Sequence, residues 1–347
     1  MSAKTKVAIL GASGYTGAEL VRILALHPHV EMTVLTADRR AGKPFADVFP
    51  HLAGVALPDL VAIDQVDWSG VDFVFCALPH GTTQDVIAAL PAHVKVCDLS
   101  ADFRLRDVDA YATWYGHAHK APELQKEVVY GLTELYREQV RAARVVANPG
   151  CYPTSAQLPL IPLIEEGLIA ADGIIVDAKS GVTGAGRAPK EGTLYSEVTE
   201  GIHAYGIASH RHAPEIEQGL SDAAGRPVLV NFTPHLMPMA RGILATIYVQ
   251  CAAGATAADL RAALARRYAG EPFVRVLGEG QVPATRHVRG SNFVLMNAFD
   301  DRLPGRAILT CVEDNLVKGA SGQAVQNMNV MLGFEETTAL LQQPMFP

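Results

Sequence analysis

The sequence predicts an α/β protein of two domains, the first built on a parallel sheet and the second on a mostly antiparallel one. At 347 residues the chain exceeds the size of a typical single hydrophobic core. In the first half, apolar runs such as 7–10 and 71–78 alternate with helical patterns, which is typical of a parallel sheet buried on both faces. The second half carries several strand patterns with few helices between them, which favours an α+β fold with one covered sheet face. We place the first domain at 1–150 plus about 314–347, and the second at 151–313.

The first strand pattern, 7–10, leads into residues 11–17 (GASGYTG), and an amphipathic helix follows at about 18–26. Glycines in such a loop allow a sharp turn and a close approach of the backbone to a pyrophosphate, which the helix N-terminus then faces. A Rossmann-type dinucleotide-binding domain is therefore predicted. The residues of this loop that we expect to bind the cofactor are Gly11, Ser13, Gly14, Tyr15, Thr16 and Gly17.

The next strand pattern, 31–36, ends in the sequence TADRR. An acidic residue at this position binds a ribose 2′-hydroxyl and favours NAD, whereas arginines can hold a 2′-phosphate and favour NADP. We expect NADP, with Thr36, Arg39 and Arg40 as ligands. Asp38 points instead towards NAD, and a solvated loop is the alternative interpretation of the two arginines.

Polar residues follow two further strand patterns, at 71–78 and 94–98. Ligands of open α/β sheets collect at the carboxyl ends of the strands, which makes Arg104 a candidate for holding an anionic group of the substrate. The alternative is a surface ion pair between Arg104 and Asp102 or Asp107.

The segment 148–154 (NPGCYPT) places one cysteine between a strand pattern at 143–147 and a helix that can begin with Pro153 in its first turn. The positive end of a helix lowers the pKa of a thiol and can hold an oxyanion, so Cys151 is predicted to be a nucleophilic thiolate. The alternative is a cysteine that only caps a tight turn. Four other cysteines lie in strand patterns and are expected to be buried: Cys76, Cys97, Cys251 and Cys311.

The segment 209–215 (SHRHAPE) contains two histidines, an arginine and a carboxylate. A catalytic thiol needs a base that titrates near neutral pH and an acid that orients it, and this segment offers both. A metal site is the weaker interpretation, because no second set of cysteines and histidines has ligand spacing. We predict no metal.

The second half also carries a strand pattern at 173–179 that opens into the glycine-rich loop 180–187, where the backbone can approach a small molecule closely. A helix is expected from the N-cap Thr256 to near residue 268. After a polar glycine-rich loop at 313–322, a long helix is expected at 323–341. Asn315 of that loop is a candidate for meeting the nicotinamide amide, or else caps the loop.

Composition narrows the class of partner. A formal charge of −7 argues against nucleic acid, and no apolar run is long enough to span a bilayer. Five cysteines without paired spacing indicate a reducing compartment, and the N-terminal sequence has no signal-peptide pattern. The sequence therefore predicts a cytoplasmic enzyme without a membrane partner.

Taken together, these residues resemble the N-acetyl-γ-glutamyl-phosphate reductases of the aspartate-semialdehyde-dehydrogenase-like superfamily. The resemblance covers essentially the whole chain and rests on five motifs, at 11–20, 98–104, 148–154, 210–215 and 319–329. It implies that Cys151 is the nucleophile, that His210 is the acid–base group and that Glu215 supports it. It also implies NADP, although relatives often carry Ser-Arg where this chain has Ala37-Asp38.

The activity implied by the resemblance is NADPH-dependent reduction of N-acetyl-γ-glutamyl phosphate, through a cysteine thioester, to N-acetylglutamate semialdehyde and phosphate. Candidate ligands of the substrate's anionic groups are then Arg104, Ser180, Arg187 and Lys190, and Ser180 is also a candidate cofactor ligand. A homo-oligomer, dimer or tetramer, is expected. The alternatives are an aspartate-semialdehyde dehydrogenase, a reductase of carrier-protein-bound aminoadipyl or glutamyl phosphate, and a redox-sensing NADP-binding protein without turnover.

Overall fold

The computed structural model describes residues 3–346. It divides into two compact units. The first consists of the residues up to Pro149 together with Ala320–Leu341, and the second of Gly150–Gly319 together with the residues from Gln342 onward. The chain therefore leaves the first unit after Pro149, returns to it at Ala320 and leaves it again after Leu341.

The first unit is built on a seven-stranded sheet in which every pair of neighbours is parallel. Its strands are β1 (Thr5–Leu10), β2 (Val30–Thr36), β3 (Leu60–Val61), β4 (Phe73–Cys76), β5 (Lys95–Asp98), β6 (Val129–Tyr130) and β7 (Val145–Ala147). They lie in the order β3-β2-β1-β4-β5-β7-β6. The helices between them are α1 (Tyr15–Leu24), α2 (Thr83–Ala89), α3 (Val108–Tyr115), α4 (Pro122–Gln125) and α5 (Thr133–Ala142). The predicted parallel α/β domain is confirmed.

The core of this sheet explains why its strands are continuous apolar runs. Strands β4 and β7 are buried at every position, as is the second half of β1. A strand covered on both faces gains from apolar residues on each side, so no alternation with polar residues arises. The structure begins α1 at Tyr15 and ends it at Leu24, a few residues earlier at both ends than the sequence indicated.

The second unit is built on a mixed seven-stranded sheet. Its strands are β8 (Ile174–Gly181), β9 (His203–Ala204), β10 (Val230–Met237), β11 (Ile243–Gln250), β12 (Val274–Val276), β13 (Val294–Asp300) and β14 (Arg306–Glu313), in the order β12-β13-β14-β11-β8-β10-β9. Neighbours are antiparallel except for the parallel pairs β8–β10 and β12–β13. The helices are α6 (Cys151–Glu165), α7 (Tyr195–Val198), α8 (Ala213–Ala224) and α9 (Ala257–Arg267).

Helices cover one face of this second sheet. Along β11 buried residues alternate with partly exposed ones, and β8, β10 and β14 follow the same period of two over most of their length. Helix α6 packs on β11 and β14 and is buried from Tyr152 to Ile164. The predicted helix after Thr256 is confirmed as α9, whose N-cap hydroxyl accepts the backbone N–H of Asp259 in a capping box.

Several sequence-based expectations for the later part of the chain are wrong. The last helix, α10 (Gly322–Leu332), is shorter than predicted because Gly333 takes a left-handed conformation, with φ of 70°, that ends it. The glycine-rich segment before it is buried rather than an open polar loop, and it includes a π-helix at Val317–Ser321. Helix α8 was not predicted. Cys251 is only half-buried, at a bridge to Ile169 beyond the end of β11.

No helix of residues 3–346 has both the length and the apolar character that crossing a lipid bilayer requires.

Candidate active site

Cys151 is the first residue of α6, as the sequence predicted. Gly150 precedes it as an extended N-cap, with φ of −69° and ψ of 154°. The side chain of Cys151 is partly exposed, whereas Cys76, Cys97 and Cys311 are fully buried and burial raises the pKa of each of those thiols. Among these cysteines, Cys151 has the position and the access that a nucleophile needs.

Glu215 fixes the backbone just before the cysteine. It lies in the first turn of α8, is 1% exposed, and its Oε1 accepts the N–H of Gly150 at 2.7 Å. The carbonyl of Glu215 in turn accepts a hydrogen bond from the side-chain amide of Gln157, in the second turn of α6, at 2.7 Å. A buried carboxylate that accepts a backbone N–H makes a strong, directional hydrogen bond. Glu215 therefore positions the start of α6.

Gly319 packs directly against Cys151. A Cβ built on Gly319 would lie 2.7 Å from the Cβ of Cys151 and 2.8 Å from a carboxylate oxygen of Glu313. Real Cβ atoms essentially never show contacts under 3.0 Å. The close approach of the backbone at Gly319 to the nucleophile therefore requires glycine at this position.

The His210 imidazole is enclosed by aromatic rings. The centroids of Tyr152, Tyr205, Phe232 and His212 lie 5.8, 5.4, 5.3 and 4.8 Å from that of His210, and all four rings stand edge to face. Tyr152 is the residue after Cys151, so this aromatic enclosure adjoins the nucleophile. Such edge-to-face packing holds the imidazole in one orientation.

The charge and tautomer of His210 follow from this environment. Burial, together with the positive charge of Arg211, lowers the pKa of His210 to about 4. The backbone N–H of His212 lies 3.1 Å from Nδ1 and donates to it. The ring is therefore neutral at pH 7, with its proton on Nε2.

Tyr205 is a residue of this site that sequence reasoning missed. Its hydroxyl lies 3.0 Å from the hydroxyl of Tyr152. Burial raises the pKa of Tyr205 to about 12, and the charge of Cys151 adds to the effect. The two phenols are thus neutral hydrogen-bonding groups at pH 7. No motif marks Tyr205, although it stands only five positions before His210.

The predicted ligands of the second unit occupy two different environments. Ser180 is buried and its hydroxyl donates to the carbonyl of Gly181, and the amide of Asn315 bridges the Gly242 N–H and the Thr183 hydroxyl at 2.8 and 3.0 Å. Asn315 therefore acts as the loop cap that was its alternative interpretation. Two other predicted ligands lie on the exposed segment after β8: Arg187 and Lys190.

The glycine loop of the first unit has two glycines that the packing demands. Gly11 has φ of 76°, and a Cβ there would lie 2.5 Å from the carbonyl oxygen of Ala77. A Cβ on Gly17 would lie 2.6 Å from the backbone of Ala12, whereas the nearest atom to one on Gly14, the N-cap of α1, is 3.5 Å away. The loop therefore lies tightly against the sheet at the start of α1.

The other predicted cofactor ligands surround this loop. The buried Thr36 anchors it, because its hydroxyl accepts the N–H of Gly11 at 3.1 Å. Arg39 and Arg40 are exposed in the turn after β2. Three hydroxyl-bearing residues at the loop and the start of α1 are half-buried: Ser13, Tyr15 and Thr16. A helix N-terminus with hydroxyl groups and two nearby arginines fits the phosphates of a dinucleotide.

Arg104 is 8% exposed and binds backbone oxygens. Its Nε donates to the carbonyl of Asn148 at 2.8 Å and its Nη2 to that of Leu99 at 3.0 Å. The Asp102 carboxylate accepts hydrogen bonds from the backbone N–H groups of Gly81 and Thr83 and from the hydroxyls of Thr83 and Tyr111. Arg104 therefore anchors the backbone at Asn148.

Asp98, at the end of β5, is a fully buried carboxyl group. It accepts hydrogen bonds from the backbone N–H and the hydroxyl of Ser100, at 3.0 and 2.7 Å. Burial outweighs these hydrogen bonds and raises the pKa of Asp98 to about 7.

Within the described residues, no group of three or more His, Cys, Asp or Glu side chains is arranged to hold a metal ion.

Each unit contains a region that matches a known protein family. Residues 6–143 match the NAD-binding domain of semialdehyde dehydrogenases, and residues 151–315 match the semialdehyde dehydrogenase dimerisation domain. The chain belongs to the semialdehyde dehydrogenase family.

Close relatives narrow this class further. A protein of Rhodospirillum rubrum named N-acetyl-γ-glutamyl-phosphate reductase is 66% identical over 352 residues, covering 100% of both chains. A chloroplastic protein of Oryza sativa subsp. japonica, named a probable N-acetyl-γ-glutamyl-phosphate reductase, is 61% identical over 99% of this chain and 83% of its own. Within the family, the chain groups with the N-acetyl-γ-glutamyl-phosphate reductases.

Solved structures share the fold at much lower identity. Aspartate semialdehyde dehydrogenase II of Vibrio cholerae has a TM-score of 0.73 at 18% identity, covering 96% of this chain and 99% of that chain. The aspartate semialdehyde dehydrogenase of Candida albicans, solved with NADP, has a TM-score of 0.68 at 17% identity, covering 95% and 99%.

Proposed function

We propose that this chain reduces N-acetyl-γ-glutamyl phosphate with NADPH to N-acetylglutamate 5-semialdehyde and phosphate, through a thioester on Cys151. The main support for the proposal is the arrangement of residues around that cysteine. Glu215 holds the preceding N–H, Gly319 allows close packing, and the His210 imidazole stands against the next residue. An enzyme that forms an acyl-cysteine needs a fixed, accessible sulfur at a helix N-terminus.

The glycine loop is the proposed site of NADP. The start of α1 receives the pyrophosphate, the hydroxyl groups at residues 13, 15 and 16 are available to its oxygens, and Arg39 and Arg40 are the cationic groups for the 2′-phosphate. When bound, NADPH supplies the hydride that reduces the thioester carbon.

In the acylation step, the Cys151 thiolate forms a bond to the γ-carbonyl carbon. The C–O bond to phosphate breaks, and phosphate departs with the electron pair and takes up a proton from water. The helix N-terminus of α6 stabilises the negative charge on sulfur before attack and on the carbonyl oxygen during it. After reduction, the C–S bond of the hemithioacetal breaks, which releases the aldehyde and returns the thiolate.

Binding of the substrate's carboxylate and phosphate needs cations. Arg187 and Lys190 are exposed on the segment after β8 and are the proposed ligands. Ser180 and Arg104 contact backbone carbonyls of this chain, and we assign them to holding the polypeptide in shape for those ligands.

The test is NADP reduction with N-acetylglutamate semialdehyde, with and without phosphate. Wild type is expected to require phosphate, Cys151→Ser to be inactive, and Cys251→Ser, which alters a half-buried cysteine of the same unit, to keep full activity. Phosphate-dependent turnover by Cys151→Ser would refute the thioester route. A preference for aspartate semialdehyde in the same assay would show that the enzyme carries out this reaction on the shorter substrate.

We further infer that two copies pair through the uncovered face of the second sheet. Ile175, Tyr248, Ile308 and Phe299 are cross-strand neighbours, so their side chains form an apolar row on one face. All four are half-buried or exposed in the single chain. The match of this unit to a dimerisation domain supports a second copy of the chain as the partner that covers this row. A two-fold axis would bring the same row of both copies together.

Light scattering after gel filtration tests the pairing. Ile308→Glu places a charge in the row and is expected to give a monomer, whereas Leu229→Glu, which changes a side chain 77% exposed outside the strands, leaves the dimer intact. A monomeric wild type, or a dimer unaffected by Ile308→Glu, would contradict the inference.

A further inference from the structure

We propose that the carboxyl groups of Asp98 and Asp102 hold one proton between them, through the hydroxyls of Ser100 and Thr83, and that this proton fastens the start of α2 to the end of β5. All four residues belong to the first unit and are at most 6% exposed. The sharing of the proton stands on this unit alone, whereas its consequence for the cofactor rests on the NADP site proposed above.

Four side-chain oxygen atoms form a continuous chain. Asp98 Oδ2 lies 2.7 Å from Ser100 Oγ, which lies 2.8 Å from Thr83 Oγ1. Thr83 Oγ1 in turn lies 2.7 Å from Asp102 Oδ2. Each of these distances is that of an O–H···O hydrogen bond. The chain therefore contains three hydrogen bonds, and each of them needs a proton of its own.

The two hydroxyls supply only two of these three protons. With both carboxyls ionised, Ser100 donates to Asp98 and Thr83 donates to Asp102. Lone pairs of the two hydroxyl oxygens then face each other at 2.8 Å. A third proton on either carboxyl removes this repulsion, because the hydroxyls can turn until every link has one donor and one acceptor. The geometry is therefore that of two carboxyls that bind one proton.

The proton rests on Asp98 rather than on Asp102. The Asp102 carboxylate accepts the N–H of Gly81 at 2.7 and 2.8 Å, the N–H of Thr83 at 3.1 Å and the hydroxyl of Tyr111 at 3.1 Å. Hydrogen bonds of this kind stabilise the anion. Asp98 accepts the N–H of Ser100 at 3.0 Å, and burial together with the negative charge of Asp102 raises the pKa of Asp98.

The groups that face Asp98 leave it as the site that titrates near neutral pH. Arg104 is a cation that lowers the pKa of Asp98 without outweighing burial. Lys95, at the start of β5, donates to the Met331 carbonyl of α10, and β7 places Ala147 opposite Asp98. Burial keeps four neighbouring groups uncharged at pH 7, since it raises the pKa of three and lowers that of the histidine: Cys76, Cys97, Tyr111 and His119.

The far end of the chain of oxygens lies beside the proposed cofactor site. Strands β1 and β4 are neighbours from which the chain runs outwards in opposite directions, so their carboxyl ends flank the crevice where an open α/β sheet binds its ligand. Asp102 holds the N–H of Gly81 in the loop after β4, and Thr83 is the first residue of α2. Loss of the proton above a pH of about 7 breaks the link between Ser100 and Thr83, so NADPH affinity should fall as Asp98 ionises.

The experiment follows the carboxyl carbon of Asp98 by NMR against pH, in ligand-free protein labelled with carbon-13 at its aspartate carboxyls. The signal is the one that Asp98→Asn lacks. We expect a midpoint of about 6 or higher in wild type and in Thr83→Ser, which keeps the hydroxyl. Thr83→Val removes the hydroxyl and turns Ser100 towards Asp98, so the midpoint should fall by about half to one pH unit.

A wild-type midpoint below about 6, a fall of less than about 0.3 unit in Thr83→Val, or an equal fall in Thr83→Ser would overturn the sharing of the proton. If Thr83→Val does not fold, wild type decides. The amide signals of Gly81 and Thr83, which donate to Asp102, should then move with the midpoint of Asp98, and amide signals that stay constant between about pH 5.5 and 8.5 are contrary.

Fluorescence titration with NADPH tests the consequence. Between about pH 6 and 9 the affinity of wild type should fall about 2- to 10-fold relative to Asp98→Asn, whose amide can donate to Ser100 at every pH. Asp85→Asn, which changes an exposed carboxyl of α2 paired with Lys120, should follow wild type throughout. A constant ratio between wild type and Asp98→Asn would refute the link to the cofactor. The NMR titrations use neither cofactor nor substrate, so they remain readable if the proposed reaction fails, which the semialdehyde assay reports separately.

Discussion

Replacing Gly319 with alanine is expected to disable the enzyme by displacing its nucleophile. The new Cβ would lie 2.7 Å from the Cβ of Cys151, whereas ordinary van der Waals contacts begin near 3.4 Å. Either the π-helix at Val317–Ser321 or the start of α6 must therefore move by most of an ångström. The Glu313 carboxylate is fully buried and lies 2.8 Å from the same Cβ position, so the new methyl group has little room to move away from Cys151.

The size of the effect follows from these distances. A misplacement of about 1 Å at a reacting group costs about 100-fold in rate, because the attack geometry is lost. Overpacking of a buried site destabilises by about 1–3 kcal/mol, and each kcal/mol lowers Tm by about 2–4 °C for a unit of this size. Catalysis is therefore expected to suffer far more than folding in Gly319→Ala.

The assay compares kcat/KM for phosphate-dependent semialdehyde oxidation with the melting temperature of the same preparation. Gly70→Ala is the matched control, since a Cβ there meets nothing within 4 Å and φ is not in the left-handed region. A Gly319→Ala enzyme with the activity of wild type would refute the reasoning. It would mean that the sulfur tolerates displacement or that Cys151 is not the reacting group.

Three further substitutions probe the other contacts. Glu215→Ala leaves the Gly150 N–H without its acceptor, so it should lower the free energy of unfolding in urea by about 1–3 kcal/mol and also lower kcat. Glu215→Gln keeps an acceptor oxygen and should retain most of the wild-type stability and kcat. Equal losses of stability and kcat in the two variants would contradict the hydrogen-bonding role. Gly17→Ala should weaken NADPH binding in fluorescence titration because its Cβ would meet the backbone of Ala12 at 2.6 Å, whereas Gly54→Ala, whose Cβ meets nothing within 4 Å, should not; equal affinities would count against the proposed cofactor site at the glycine loop. Burial raises the pKa of Asp98 to about 7, so the folded state keeps a proton on Asp98 at pH values where the unfolded chain has lost it. The free energy of unfolding of wild type should therefore fall relative to that of Asp98→Asn as the pH rises from about 4 to 7. A difference in Tm between the two proteins that does not change with pH would contradict this prediction.

The strands of the first unit could be predicted from the sequence because both faces of their sheet are covered. A parallel strand covered on both faces selects apolar residues at every position, so β1 and β4 stand out as short continuous runs. The residues at which helices end were predicted less accurately. The sequence pattern predicts a last helix at 323–341, whereas Gly333 takes the left-handed conformation that commonly ends a helix.

Helix α8 was missed for a different reason. The segment HRHAPE contains both a set of catalytic residue types and a start signal for a helix, since Pro214 lies in the first turn of α8. Glu215 is both a member of that motif and part of the first turn of α8. Its hydrogen bond to Gly150 joins positions 65 residues apart, which no local pattern reports.

The order of residues was enough to determine that a cysteine begins a helix after a strand, that a glycine loop precedes another helix, and that two histidines, an arginine and a carboxylate lie within the short segment 209–215. Each of these is a local property of the sequence. The tertiary structure alone decided that Gly319 touches Cys151, that Tyr205 walls in His210, and that the imidazole presents Nε2 as its donor. The first fact depends on a contact between segments distant in the chain, and the other two depend on how the short segment 205–212 folds and on the direction of one N–H bond, which composition does not encode.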